Sequence, residues 1–184
     1  MKKTIVLICI AVFVSFAIIG CSSEQSNTAS SHQQDNNIAV GDTATLATEY
    51  GDVEVIVDGF EISDDMTSLF LDNQGMSSEK KIGLLLLQVK NVSFKNTSSG
   101  PSVLLLDEMI FVNDNDGVSL TAMSQSLDYG EYEGLAGGIL EISERRTKRV
   151  MLLYPVDPSL ENVEVHIQDY IVDCPVTSGN RAVS

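Results

Sequence analysis

The stretch Ile82-Gly83-Leu84-Leu85-Leu86-Leu87-Gln88-Val89-Lys90-Asn91-Val92-Ser93-Phe94-Lys95 decides the fold class. Leu85, Leu87 and Val89 share one phase of a period-two alternation, and Val92 and Phe94 share the other. That period belongs to a β-strand. The change of phase needs one extra residue, so the reading predicts a β-bulge near Lys90-Asn91. The alternative is a strand buried on both faces over its first half.

The flanking segments repeat the strand signal. Thr43 to Ala47 alternates briefly before a turn at Glu49-Tyr50-Gly51-Asp52. Val53, Val55 and Val57 then alternate with polar or second-face residues, and the run continues through Phe60 and Ile62. Ser63 to Lys81 is polar and reads as a long loop with a helical turn around Met66 to Leu71. Downstream, Asn96 to Pro101 is turn chemistry, and Val103 to Leu106 begins a strand. Met109 to Val112 and Val118 to Leu120 flank Asn113-Asp114-Asn115-Asp116-Gly117, whose Asp-Gly pair suits a hairpin turn with positive φ. Thr147 to Tyr154, stopped by Pro155, and Asn162 to Ile167 complete the series. No stretch sustains a 3.6-residue period. Short strands between turn signals predict an all-β, antiparallel sandwich.

Four regions follow: 1–20 as a lipoprotein signal peptide, 21–37 as a lipidated cysteine and disordered tether, 38–175 as the sandwich, and 176–184 as a disordered tail. Lys2 and Lys3 form the positive flank, and Ile5 to Ile19 the apolar core. As a helix that core reaches about 22 Å, short of a bilayer's ~30 Å hydrocarbon layer. Ile18, Ile19 and Gly20 then lead into Cys21 as a processing box, with Cys21 the lipidation site. Two acyl chains anchor stably where one is marginal. From Ser22 to Asn37 there is no large apolar residue, so the segment cannot offset its ordering entropy. His32 in that tether reads as solvated.

The segment order resembles the immunoglobulin-like domain of bacterial surface lipoproteins known as domain of unknown function 4352. The residues that carry the resemblance are Val40-Gly41-Asp42-Thr43, Val53 to Ile62, and the apolar strand running into Asn96-Thr97-Ser98. Met109 to Gly117 and Val150-Met151-Leu152-Leu153-Tyr154-Pro155 complete the set. Ile142-Ser143-Glu144 departs from the family's Pro-Gly-Glu-like turn, as does the basic run that follows it. The resemblance implies an immunoglobulin-like sandwich outside the cytoplasmic membrane. It implies no activity.

Charge and cysteine usage narrow the function classes. The chain holds 26 acidic against 11 basic residues, a formal charge of −15. Loss of Lys2 and Lys3 on processing would leave nine basic residues and a charge of −17. Such a surface repels phosphate backbones, so nucleic acid is excluded as a partner. With Cys9 in the signal and Cys21 lipidated, Cys174 is the one remaining thiol, and no internal disulfide is expected. It reads as inert or packed.

Three constellations carry possible chemistry. Asp107, Glu108, Asp114, Asp116 and Asp128 are weak calcium candidates, Asp114 and Asp116 foremost. An EF-hand register on Gly117 puts Val112 and Met123 at ligand positions, which excludes that loop. Turn formation explains Asn113 to Gly117 without an ion, so no metal site is expected. Arg145, Arg146, Lys148 and Arg149 form a candidate basic patch, read first as protection of an edge strand. Tyr129-Gly130-Glu131-Tyr132-Glu133-Gly134 is read as a flexible loop with Tyr129 and Tyr132 as candidate contact residues.

His166 is expected to alternate outward with Glu164 and Gln168, and no nucleophile–base spacing or phosphate-cradling loop is present. The expectation is a non-enzymatic, cofactor-free monomer on the outer face of the membrane of a single-membrane bacterium. It is held there by lipid and binds a protein or another envelope component. A calcium-responsive module is the alternative, and a hydrolase the remote one.

Overall fold

The computed structural model describes residues 36–74 and 76–179. The expected signal peptide with Ile18, Ile19, Gly20 and Cys21, and the tether through residue 35 with His32, lie outside the described residues. So do residues 180–184. The strands are β1 (Asn37–Ile38), β2 (Thr43–Thr48), β3 (Gly51–Ser63), β4 (Lys81–Asn91), β5 (Ser102–Leu105), β6 (Ile110–Asn113) and β7 (Ser119–Leu120). They continue with β8 (Asp128–Tyr129), β9 (Tyr132–Gly134), β10 (Ile139–Ile142), β11 (Thr147–Val156), β12 (Asn162–Ile167) and β13 (Tyr170–Gly179). Two helices, α1 (Asp64–Gln74) and α2 (Leu106–Met109), interrupt them.

The strands form one curled sheet in the order β7-β6-β12-β13-β3-β4-β11-β9-β8, with β1 on β13, β2 on β3, and a separate β10–β5 pair. The fold is an all-β sandwich, as the alternation predicts. Antiparallel pairs dominate, but β1–β13, β13–β3 and β11–β9 run parallel. The curl arises on β3. Its first half pairs with β2, whereas Phe60 to Ser63 pair with Val176 to Gly179 of β13. Residues 176–179, expected in a disordered tail, are therefore strand, and so is Asn37 at the end of the expected tether.

The bulge sits on β3 instead of β4. Pairing with β4 slips between Val57 and Gly59. Val53, Val55 and Val57 are buried before the slip and Phe60 after it, so the extra residue returns Phe60 to the core. The bulged residue, Asp58, accepts hydrogen bonds from Gln88 Nε2 at 2.8 Å and Tyr132 Oη at 2.7 Å. No bulge is needed near Lys90-Asn91, because β4 is covered on both faces. Leu85, Leu87 and Val89 join Val55, Val150, Val165 and Val172 between the layers. Ile82, Leu84 and Leu86 pack with Met66, Phe70, Tyr129, Tyr132 and Met151 on the other side.

That second cover explains α1, where only a helical turn is expected. Ser63 Oγ accepts the Met66 N–H at 3.2 Å as an N-cap, and Asp64 and Asp65 stand in the first turn, where the helix dipole favours them. The Thr67 hydroxyl donates to Ser63 O at 2.6 Å and accepts the Ile82 N–H at 2.9 Å. The helix is thereby bolted to the start of β4.

Two prolines lie within strands. Pro155 does not stop β11, which runs to Val156 opposite Lys81. It lies beyond Met151, where β9 ends, and beyond the Met123–Leu153 bridge, so its missing N–H interrupts no second ladder. Pro175 stands where β13 leaves β12 and passes to β3.

Candidate functional site

The expected tyrosine loop is part of the core. Tyr129 and Tyr132 are the facing residues of the β8–β9 hairpin, 0% and 4% exposed. They belong to the cluster beneath α1, and Tyr132 is tied to Asp58. Their aromatic area is spent on packing, so this loop is not the exposed recognition element that its composition suggests.

The basic run is also redistributed. Arg145 lies in a turn with φ of 61°, before β11 begins, and its guanidinium pairs with Glu144 at 3.5 Å. Lys148 pairs with Glu133 at 2.9 Å, and Arg149 pairs with Glu131. Arg146 is exposed, and its carbonyl accepts the Asn91 N–H at 3.0 Å. The ion pairs are exposed, and such pairs contribute only about 0.2–1 kcal/mol each. Three of the four cations thus answer carboxylates of their own chain. β9 pairs with β11 only at Val150 and Met151, so Thr147 to Arg149 border β4 on one side and no strand on the other among the described residues.

Asp114 serves its own turn. Its Oδ1 accepts the N–H groups of Asp116 at 3.0 Å and Val118 at 2.8 Å, and Gly117 takes the positive φ that the Asp-Gly pair predicts. Among the described residues no group of three or more His, Cys, Asp or Glu side chains is placed to hold a metal. His166 faces outward as expected, with Nε2 3.2 Å from both Glu164 Oε2 and Asn113 Nδ2.

Cys174 is buried in the interlayer core, and its thiol pKa is pushed up to about 11, chiefly by desolvation, against a smaller opposing hydrogen bond from the Phe60 backbone. A thiol of this kind is a poor nucleophile at neutral pH. With Cys9 and Cys21 replaced by serine, a thiol reagent such as dithionitrobenzoate is expected to leave native protein unlabelled and to label one equivalent after unfolding in guanidinium. A fast native reaction would show that the site opens. The sign of the pH effect follows: the unfolded thiol ionises first, so stability falls as pH rises from about 9 towards 11.

The surface feature that sequence reasoning missed lies at the opposite edge. β7 pairs only with Val112 and Asn113, leaving Ile110 and Phe111 without a strand on that side. The chain then crosses to β11, where the Met123 N–H donates to Leu153 O at 2.7 Å. Under that crossing lies a cleft of about 270 Å³ lined by Ile110, Phe111, Leu120, Ala122, Tyr154 and Asp107, with Thr121 at its rim. Phe111 is 54% exposed and Val118, in the adjoining turn, 59%. Tyr154 is 2% exposed, and burial drives its pKa upward with a smaller contribution from Asp107. The available signal was the alternation of Met109 to Asn113, which puts Phe111 out of phase with the buried Ile110 and Val112.

No family model matches the chain, and no curated protein matches it in sequence. Among solved structures it is similar to one described as "a putative lipoprotein from Staphylococcus aureus subsp. aureus NCTC 8325", at 11% identity and a TM-score of 0.43. The likeness covers 74% of this chain and 98% of that one.

Proposed function

We propose that this chain is a lipid-anchored, extracytoplasmic lipoprotein whose immunoglobulin-like sandwich is a non-catalytic binding or scaffolding module. The observation that carries the reading is Ile18-Ile19-Gly20-Cys21 at the end of a short apolar run behind Lys2 and Lys3. The open β6 edge, with Phe111 exposed at the lining of a cleft, is the surface that supports binding.

Cys21→Ser tests the anchor. The substituted chain is expected to leave the membrane fraction of the expressing bacterium and appear in the soluble or secreted fraction, while the parent chain stays with the membrane and incorporates labelled palmitate. Retention of Cys21→Ser in the membrane would overturn the lipid-anchor reading.

A further inference from the structure

The partner chemistry of the β6-edge cleft follows from charge as well as shape, and rests on the reading of this domain as a binding module. Lysine and arginine are absent from residues 96–144 and again from 150–180. Those spans hold α2, β6, β7, β12 and β13, whose ionised side chains are carboxylates: Asp107 and Glu108 on α2, Glu164 on β12, Asp173 on β13. Among the described residues the cations lie at 80–95, on and around β4, and at 145–149, before and at the start of β11, and several are already paired.

The cleft itself has a specific lining. Two aromatic residues, Phe111 and Tyr154, and three aliphatic ones stand around a single carboxylate, Asp107. Tyr154 is almost wholly buried and closes the cleft from the core side. An aromatic wall attracts a cation through the ring quadrupole, and a carboxylate adds a charged acceptor. Aliphatic walls accept the methylene stem of a long side chain. Beside the cleft, Ile110 and Phe111 pair with β12 on one side and have no strand on the other among the described residues, so an extended backbone has a place to lie.

We infer that the cleft receives a lysine or arginine side chain presented by an extended segment of a protein partner, with Asp107 and the Phe111 ring as its binding groups. The acidic sheet around it steers and holds a basic segment, and the cleft selects the side chain.

The test uses the full-length chain in nonionic detergent and a fluorescein-labelled peptide, acetyl-Val-Thr-Val-Lys-Val-Thr-Val-amide, read by anisotropy. Saturable binding is expected, weakened about tenfold when norleucine replaces the lysine. Phe111→Ser and Asp107→Asn should each weaken it about fivefold, the size of a lost cation–π or exposed charge contact. Phe111 is largely exposed, so Phe111→Ser should leave the unfolding midpoint in place. Asp173→Asn removes a charge of the same sheet outside the cleft and should change little. The inference fails if no binding saturates, if the norleucine peptide binds equally, or if Phe111→Ser has no effect. It also fails if Asp173→Asn weakens binding as much as Asp107→Asn, which would make bulk charge the whole cause. Release of Cys21→Ser from membranes is independent of all these readings, so loss of the cleft and loss of the anchor are distinguishable.

Discussion

Asn91→Ala is expected to lower the unfolding free energy by about 2–4 kcal/mol, measured by urea denaturation with the slope unchanged. Asn91 ends β4, is fully buried, and joins the main sheet to the β5–β10 pair. Its Nδ2 donates to Phe94 O at 2.9 Å and to Ile142 O at 3.2 Å. Its backbone N–H donates to Arg146 O, and its carbonyl accepts the Arg145 N–H at 2.7 Å. Alanine keeps the backbone pair and removes both side-chain donors. Phe94 O retains the Ser102 hydroxyl at 2.9 Å, whereas Ile142 O loses its side-chain partner in a buried place. An orphaned buried acceptor costs about 1–3 kcal/mol, and the vacated volume adds to it. Asn91 Oδ1 itself has no partner among the described residues, which trims the loss.

Asn96 is the control that separates burial from bond count. Its side chain also makes two hydrogen bonds, donating to Val103 O at 2.7 Å and accepting the Val103 N–H at 3.0 Å. It is exposed, so water replaces what Asn96→Ala removes. A cost under about 1 kcal/mol is expected there. Equal losses at the two positions would mean that the bonds, and not the buried joint, set the cost.

The same contrast between local pattern and tertiary cover decides how much was legible in the sequence. Strands with one buried face, such as Asn162 to Ile167, declare themselves by alternation and match their predicted bounds. β4 declares strand but not its surroundings. Its change of phase has two physical solutions, and only the placement of α1 against Ile82, Leu84 and Leu86 selects between them. α1 itself shows little helical pattern, because Met66 and Phe70 are its only fully buried apolar residues, one turn apart. Its stability comes from Ser63 and Thr67 and from docking, which no local window contains.

Composition misleads at Tyr129 and Tyr132 for a related reason. Glycines and carboxylates around an aromatic pair look like an exposed loop, but a two-residue hairpin can turn both rings inward when a second apolar surface awaits them. Proline misleads at Pro155, since a missing donor matters only where a ladder would use it. The cleft was hidden differently. Net charge was visible, but that cations desert one region while an aromatic faces outward there needs both the phase of β6 and the fold's spatial grouping.

Phe60→Ala should be the most costly single substitution considered, at about 3–5 kcal/mol, and its cost should be coupled to Gly83. Phe60 is fully buried directly after the bulge, its ring 6.1 Å from that of Tyr154. A Cβ placed at Gly83 would stand 2.5 Å from the Phe60 ring and 3.2 Å from Val156 Cγ1. Glycine is therefore required on β4 by the ring that β3 delivers, even though it weakens a strand interior. Gly83→Ala alone should cost about 1–3 kcal/mol through overpacking. In the Phe60→Ala background the ring is gone, so the added methyl meets only the milder contact with Val156 and gains the usual backbone advantage over glycine. There the second substitution should be neutral to stabilising by about 0.5 kcal/mol. The double-mutant cycle thus predicts a coupling of more than about 1 kcal/mol in favour of the pair. Additive losses would mean that Gly83 answers a demand of the β4 backbone itself, and not the Phe60 ring that the bulge at Asp58 delivers to it.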